Sequence, residues 1–112
     1  MAALRWAGHQ AGKWYCWGGG GPSCFDCSGL VMQAYRHAGI PLPRTTYQML
    51  SSRRLVRIPA SRRRPGDLAF YGSGHVELVS GKGTFGALEP GTRIGWHRPS
   101  AWWHPTMYFR VK

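Results

Sequence analysis

Apolar residues recur at helical spacing in one stretch of this chain and fall into short runs elsewhere. From Cys27 to His37, Leu30, Val31, Ala34, Tyr35 and Ala38 follow the helical period, Gly39 stands where a helix C-cap would, and Pro41 follows. Asp26 and Ser28 sit at the start, where an oxygen side chain accepts from the free N–H groups of a first turn. Cys27 is thereby placed at a helix N-terminus. Upstream, Ala2 to Gly12 reads as a short leading helix ended by Gly12. Between the two, Trp17 precedes the glycines Gly18 to Gly21 and Pro22, a stretch unsuited to regular structure that lets backbone approach closely.

The second half changes period. His75–Ser80, Thr84–Leu88, Thr92–His97 and Met107–Val111 read as short strands punctuated by Gly and Pro. The Arg-rich stretch between Leu50 and Pro65 reads as a long surface connection. Helices followed by a small antiparallel β-sheet make an α+β arrangement, with N-terminal helices packed on the sheet. At 112 residues, without repeat or linker, residues 1–112 are expected to form one domain with one site.

Composition narrows the function classes. Hydrophobic residues make up 43% and aromatics 13% of the chain, enough apolar surface to fold. The formal net charge is +11, with Arg53, Arg54, Arg57 and Arg62, Arg63, Arg64 clustered. Such a run is either a solvated basic loop or a positive field that attracts polyanions: nucleic acid, anionic cell-wall polymer or anionic lipid. Neither zinc-finger spacing nor an RNP-like aromatic strand supports specific nucleic-acid binding, although six Trp are present to stack on bases. No apolar run reaches the length of a membrane span, and the N-terminus lacks the basic-then-apolar pattern of a secretory signal. His9, His37 and His104 stand apart from any second ligand, so neither metal nor cofactor is expected, and a monomer is.

The three cysteines, Cys16, Cys24 and Cys27, leave an odd thiol whatever the others do. A thiol attacks as its thiolate, a form favoured by a helix N-terminus and by a neighbouring imidazole. Cys27 has the helix position. His75 lies between the turn Gly72-Ser73-Gly74 and the strand that follows, at a strand edge where a base can meet such a thiol. Cys16 and Cys24 read either as a disulfide across the glycine loop, in a protein working outside a reducing cytosol, or as two buried thiols.

Trp14-Tyr15-Cys16-Trp17-Gly18-Gly19 followed by Phe25-Asp26-Cys27-Ser28-Gly29-Leu30-Val31 resembles the NlpC/P60 family pattern. Leu42-Pro43-Arg44-Thr45-Thr46 with Gln48, Pro65-Gly66-Asp67-Leu68 and Gly74-His75-Val76 extend the likeness in order along nearly the whole chain. The resemblance implies a papain-like fold and hydrolysis of the γ-D-glutamyl to diamino acid bond of peptidoglycan stem peptides. It makes Cys27 the nucleophile and His75 the base, and puts Tyr15, Asp26 and Ser28 where relatives bind the peptide's free amino end. Helix capping by Asp26 and Ser28, and core packing by Tyr15, are equally open readings. The backbone N–H of Cys27 is a candidate oxyanion donor.

One position departs from the family. Relatives usually carry a polar third residue, most often His, on the strand after His75, where this chain has Ala87. If Gly81-Lys82-Gly83 turns a hairpin with Ser80 facing Thr84, Glu77 pairs with Ala87 on the His75 face, so that its carboxylate fills the space and orients the imidazole. Glu89 would then lie opposite His75, while alternation sends His97 to the other face. Glu77 ranks first, then Glu89 and His97; a solvent-facing Glu77 is the plain alternative.

The leading expectation is a cysteine endopeptidase acting outside the cell or in the cell wall or periplasm, with its basic face held on anionic wall polymers; a free enzyme, a domain of a larger protein, a phage protein and a toxin are all open as its context. Amidase or acyl-transfer chemistry on the same scaffold, and a wall-binding module with a decayed site, are the alternatives.

Overall fold

The computed structural model describes residues 2–112. Helix α1 spans Ala2–Gly8 and buries Ala3 and Ala7, small side chains that allow close approach to the next helix. It stops short of Gly12, which takes φ +87° in the turn beyond, a left-handed conformation that glycine adopts freely. Helix α2 spans Cys27–His37 and buries Leu30, Val31, Ala34 and Tyr35 on one side, as their spacing predicts. The Tyr35 hydroxyl donates to the Gly66 carbonyl, tying the helix to the Pro65-Gly66-Asp67 turn. A short helix α3, Thr46–Leu50, opens with a reciprocal capping box between Thr45 and Gln48.

Strands β1 (Trp14–Tyr15) and β2 (Cys24–Phe25) form a short parallel pair. The main sheet contains β3 (Leu55–Ile58), β4 (Leu68–Tyr71), β5 (His75–Ser80), β6 (Gly83–Gly86), β7 (Gly95–His97) and β8 (Met107–Val111). Its order is β3-β8-β4-β5-β6-β7, with every neighbouring pair antiparallel.

The stretch between Leu50 and Pro65 is thus more than a surface connection. It contributes edge strand β3 and a 3-10 turn at Ala60–Arg62, while Arg53, Arg54, Arg57, Arg62, Arg63 and Arg64 are exposed along that edge. Charged side chains on an outermost strand also discourage pairing with another chain.

Val76 and Leu78 of β5 join Phe25, Leu30, Val31, Phe70 and Phe85 in the core beneath the helices. Alternation puts His75, Glu77 and Val79 on the other face of β5. Here the register differs from expectation by one residue: Ser80 pairs with Gly83, Val79 with Thr84 and Leu78 with Phe85. The two-residue turn Gly81-Lys82 needs Gly83 at φ +122°, and a Cβ there would fall 2.4 Å from the His97 carbonyl oxygen. Glu77 therefore comes opposite Gly86, and Ala87 is buried in the core instead.

Candidate active site

Cys27 opens α2, and its placement is enforced by the residue before it. Asp26 is the N-cap, with extended backbone (φ −92°, ψ −179°) and a side chain accepting from Gly29 N at 2.7 Å. Arg44 clamps the same carboxylate with two bonds, Nη1 to Oδ1 and Nη2 to Oδ2, each 3.0 Å. Arg44 also donates to Ser28 Oγ at 3.1 Å and to the Gly19 carbonyl at 3.2 Å. The glycine loop lies against the first turn of α2 so closely that a Cβ on Gly29 would sit 2.2 Å from Gly19 O. A disulfide joins Cys16 to Cys24 and closes this loop, leaving Cys27 as the free thiol, half-buried.

An open cleft of about 470 Å³ faces the thiol, lined by Tyr15, Trp17, Asp26, Ser28 and Tyr47 among others. Burial, then the charges of Cys27 and Asp26, which line the same cleft, raise the Tyr15 pKa. Asp26 caps the helix, whereas the buried Ser28 does not: its hydroxyl donates to Asp26 Oδ1 at 3.4 Å and accepts from Arg44.

His75 is the first residue of β5. Its Nε2 meets Glu77 Oε2 at 2.8 Å; the imidazole is 16% exposed and the carboxylate 0%. Burial pushes the His75 pKa down, but hydrogen bonding to Cys27 and Glu77 and attraction to both outweigh it, raising the pKa from 6.5 to about 9. Glu77 shows the mirror effect. Burial alone would raise its pKa, whereas hydrogen bonds from His75 and His97 and their charges hold it below the usual 4.5.

The carboxylate has further partners. His97 Nδ1 reaches Oε1 at 2.8 Å, and Thr84 Oγ1 donates to the same oxygen at 2.9 Å. Tyr71 Oη lies 2.7 Å from Thr84 Oγ1. Trp103 stacks on Tyr71 with ring centroids 3.9 Å apart and stands edge-on to His97 at 6.1 Å.

His75 thus meets Glu77 directly, and Cys27 is near enough to raise the pKa of the same imidazole. Glu77 reaches His75 from its own strand, in space left by Gly86 and not by Ala87. His97 is corrected to the same face, because the one-residue register difference puts Thr84 opposite both Val79 and His97. Glu89 is exposed in a turn closed by Thr92, away from this cluster. Arg44, Tyr71, Thr84, Gly86 and Trp103 had no assigned role from sequence; Arg44 alone lay inside a recognised segment. Among the described residues no group of His, Cys, Asp or Glu could hold a metal ion, and no helix is long and apolar enough to cross a membrane.

Known proteins share this arrangement of elements. Two curated relatives are a probable endopeptidase p60 of Listeria innocua serovar 6a, 44% identical over 86 residues, and the peptidoglycan endopeptidase RipB of Mycobacterium tuberculosis, 40% identical over 96. The matches cover 73% and 71% of this chain but only 18% and 39% of those relatives. The chain thus spans well under half the length of the curated relatives it matches. Among solved structures, the NlpC/p60 domain of the peptidoglycan hydrolase SagA superposes with a TM-score of 0.85 at 30% identity, covering 98% of this chain and 97% of that one. The RipB structure gives 0.83 at 29%, covering 99% of this chain and 64% of that one. With the NlpC/P60 family model also matching residues 12–109, the chain belongs to the NlpC/P60 family.

Proposed function

We propose that this chain is a cysteine endopeptidase that hydrolyses peptidoglycan stem peptides, at the bond between γ-D-glutamate and the diamino acid. The observation that carries the reading is a free thiol at a helix N-terminus beside an imidazole whose far nitrogen is held by a fully buried carboxylate. The names of the relatives, endopeptidase and peptidoglycan hydrolase, support the substrate class.

In this reading Glu77 occupies Nε2 of His75, so Nδ1 is the nitrogen that exchanges a proton with Cys27. A ring raised to about 9 favours transfer of the thiol proton, giving a thiolate beside an imidazolium. The thiolate attacks the scissile carbonyl carbon, and the backbone N–H of Cys27 supports the developing oxyanion. The imidazolium protonates the leaving amine as the acyl-enzyme forms. Neutral His75 then takes a proton from the attacking water, and collapse of the second tetrahedral species releases the acid and Cys27.

Tyr15, Asp26 and Ser28 receive the peptide's free amino end. Oδ2 of Asp26 has Arg44 as its hydrogen-bond partner and keeps acceptor capacity for an ammonium group. The exposed arginines hold the enzyme on anionic wall polymers: among the described residues only Arg44 and Arg110, of fifteen Lys and Arg, form an ion pair with an Asp or Glu side chain. Action outside the cytosol agrees with the Cys16–Cys24 disulfide.

The test compares the parent with Cys27→Ala on peptidoglycan fragments carrying free L-Ala stem peptides. Mass spectrometry should show L-Ala-D-Glu released by the parent alone. No cleavage by the parent, or equal cleavage by both, overturns the proposal.

A further inference from the structure

Building on the proposed peptidase, we infer that His97 is a positioning residue for the same site, clamping one oxygen of Glu77 so that the other is fixed on His75. The inference starts from donor counting. An ionised carboxylate only accepts hydrogen bonds, so every close partner of Glu77 must direct a hydrogen at it. Thr84 then donates its hydroxyl proton to Oε1, which leaves Tyr71 to donate to Thr84. His97 carries a proton on Nδ1, toward Oε1, and His75 carries one on Nε2, toward Oε2. The chain of donors therefore dictates the tautomer of neutral His75: Nε2 protonated, Nδ1 bare and available to the thiol.

The clamp is assembled across the sheet. Glu77 comes from β5, Thr84 from β6, His97 from β7 and Tyr71 from β4, so no local segment could supply it. The carboxylate is wholly shielded from solvent, so its charge rests on these donors and not on water. Trp103 packs against Tyr71, His75 and His97 together, which shields the three side chains from bulk solvent.

The titratable groups around Glu77 are His75 on its own strand, Tyr71 on β4 and His97 on β7, with Cys27 of α2 beyond His75. Removing His97 takes away one donor and one source of positive charge. Glu77 then protonates at higher pH, and a protonated Glu77 no longer needs His75 to present Nε2–H.

Two substitutions separate positioning from bulk: His97→Leu fills the volume without a donor, and His97→Gln restores an amide N–H toward Oε1. In His97→Leu, kcat should fall roughly tenfold or more with KM little changed, and the acid limb of the kcat/KM profile should move to higher pH. His97→Gln should keep kcat within about threefold of the parent. Nitrogen-15 NMR supplies a substrate-free readout: the His75 Nε2 proton should be protected from exchange in the parent and in His97→Gln, and exchange rapidly in His97→Leu. An unchanged pH profile and proton in His97→Leu, or equal losses in both variants, overturns the inference. If His97→Leu does not fold, His97→Gln decides alone, since loss of its protected proton is incompatible with the clamp. Should the parent cleave no stem peptide, the peptidase reading fails while the NMR comparison still tests the clamp.

Discussion

Gly86 lies directly over the Glu77 carboxylate: a Cβ built on it would fall 2.7 Å from Cγ and 3.0 Å from Cδ of Glu77. The glycine is required by the side chain across from it. Gly86→Ala should therefore push Glu77 off His75, cost about 1–3 kcal/mol through overpacking, and lower kcat more than KM. Denaturant titration and steady-state kinetics on one preparation check both effects.

Truncating the carboxylate acts on the imidazole directly. Glu77→Ala should lower kcat by about 10²–10⁴-fold, the range seen when a catalytic imidazole loses its orienting carboxylate. It should also bring the His75 pKa down from about 9 toward or below 6.5, followed by NMR titration. Glu77→Gln keeps an acceptor oxygen and should retain more activity than Glu77→Ala.

The same pair predicts how stability follows pH. The folded His75 pKa, near 9, exceeds the ordinary 6.5, so its contribution is complete below 6.5 and is lost as pH rises through 9. Glu77 is held below 4.5, so its contribution is complete above 4.5 and is lost as pH falls through the lower folded value. Both contributions are full only between about pH 4.5 and 6.5. Unfolding free energies across pH should decline on both sides of that window, and less steeply in Glu77→Gln.

Opening the loop disulfide should be felt in stability first. Cys16 and Cys24 are separated by 8 positions, a closure for which chain entropy predicts about 2–3 kcal/mol. The double variant Cys16→Ala/Cys24→Ala should lose that much in urea denaturation. KM should rise as Trp17 and Gly18, which line the cleft, loosen.

The arginine edge should matter for insoluble substrate only. Replacing Arg53, Arg54 and Arg57 with Gln should weaken retention on intact cell walls and flatten its salt dependence. Cleavage of short soluble fragments should be unchanged, since these exposed residues lie on or before β3, three strands from His75.

Local signals made part of this molecule legible from sequence. Helix α2, its Asp26 cap and the thiol that follows were readable because apolar spacing, capping chemistry and the terminating Gly39 agree. The position of His75 followed from its glycine turn. Strands β3 and β4 were not foreseen: the first lies among arginines, and the second is a four-residue apolar run directly after a turn. The hairpin register departs by one residue from the expected one, with Gly83 packed so closely on His97 O that a side chain has no room there, a tertiary contact that strand patterning does not carry. That slip exchanged Ala87 for Gly86 as the neighbour of Glu77 and hid His97 from the site. Arg44 escaped assignment because its partner Asp26 lies 18 positions earlier.

The bond between Cys16 and Cys24 has a consequence for maturation. Any other pairing among the cysteines would consume Cys27, yielding an oxidised isomer in which the proposed nucleophile is blocked without the chain having to be unfolded. By bonding to each other, the two neighbours withdraw the nearest competitors for the reactive sulfur. Each of the three possible single-disulfide isomers keeps one free thiol, so the identity of the cysteine that alkylates, and not the thiol content, reports which pairing a preparation has reached.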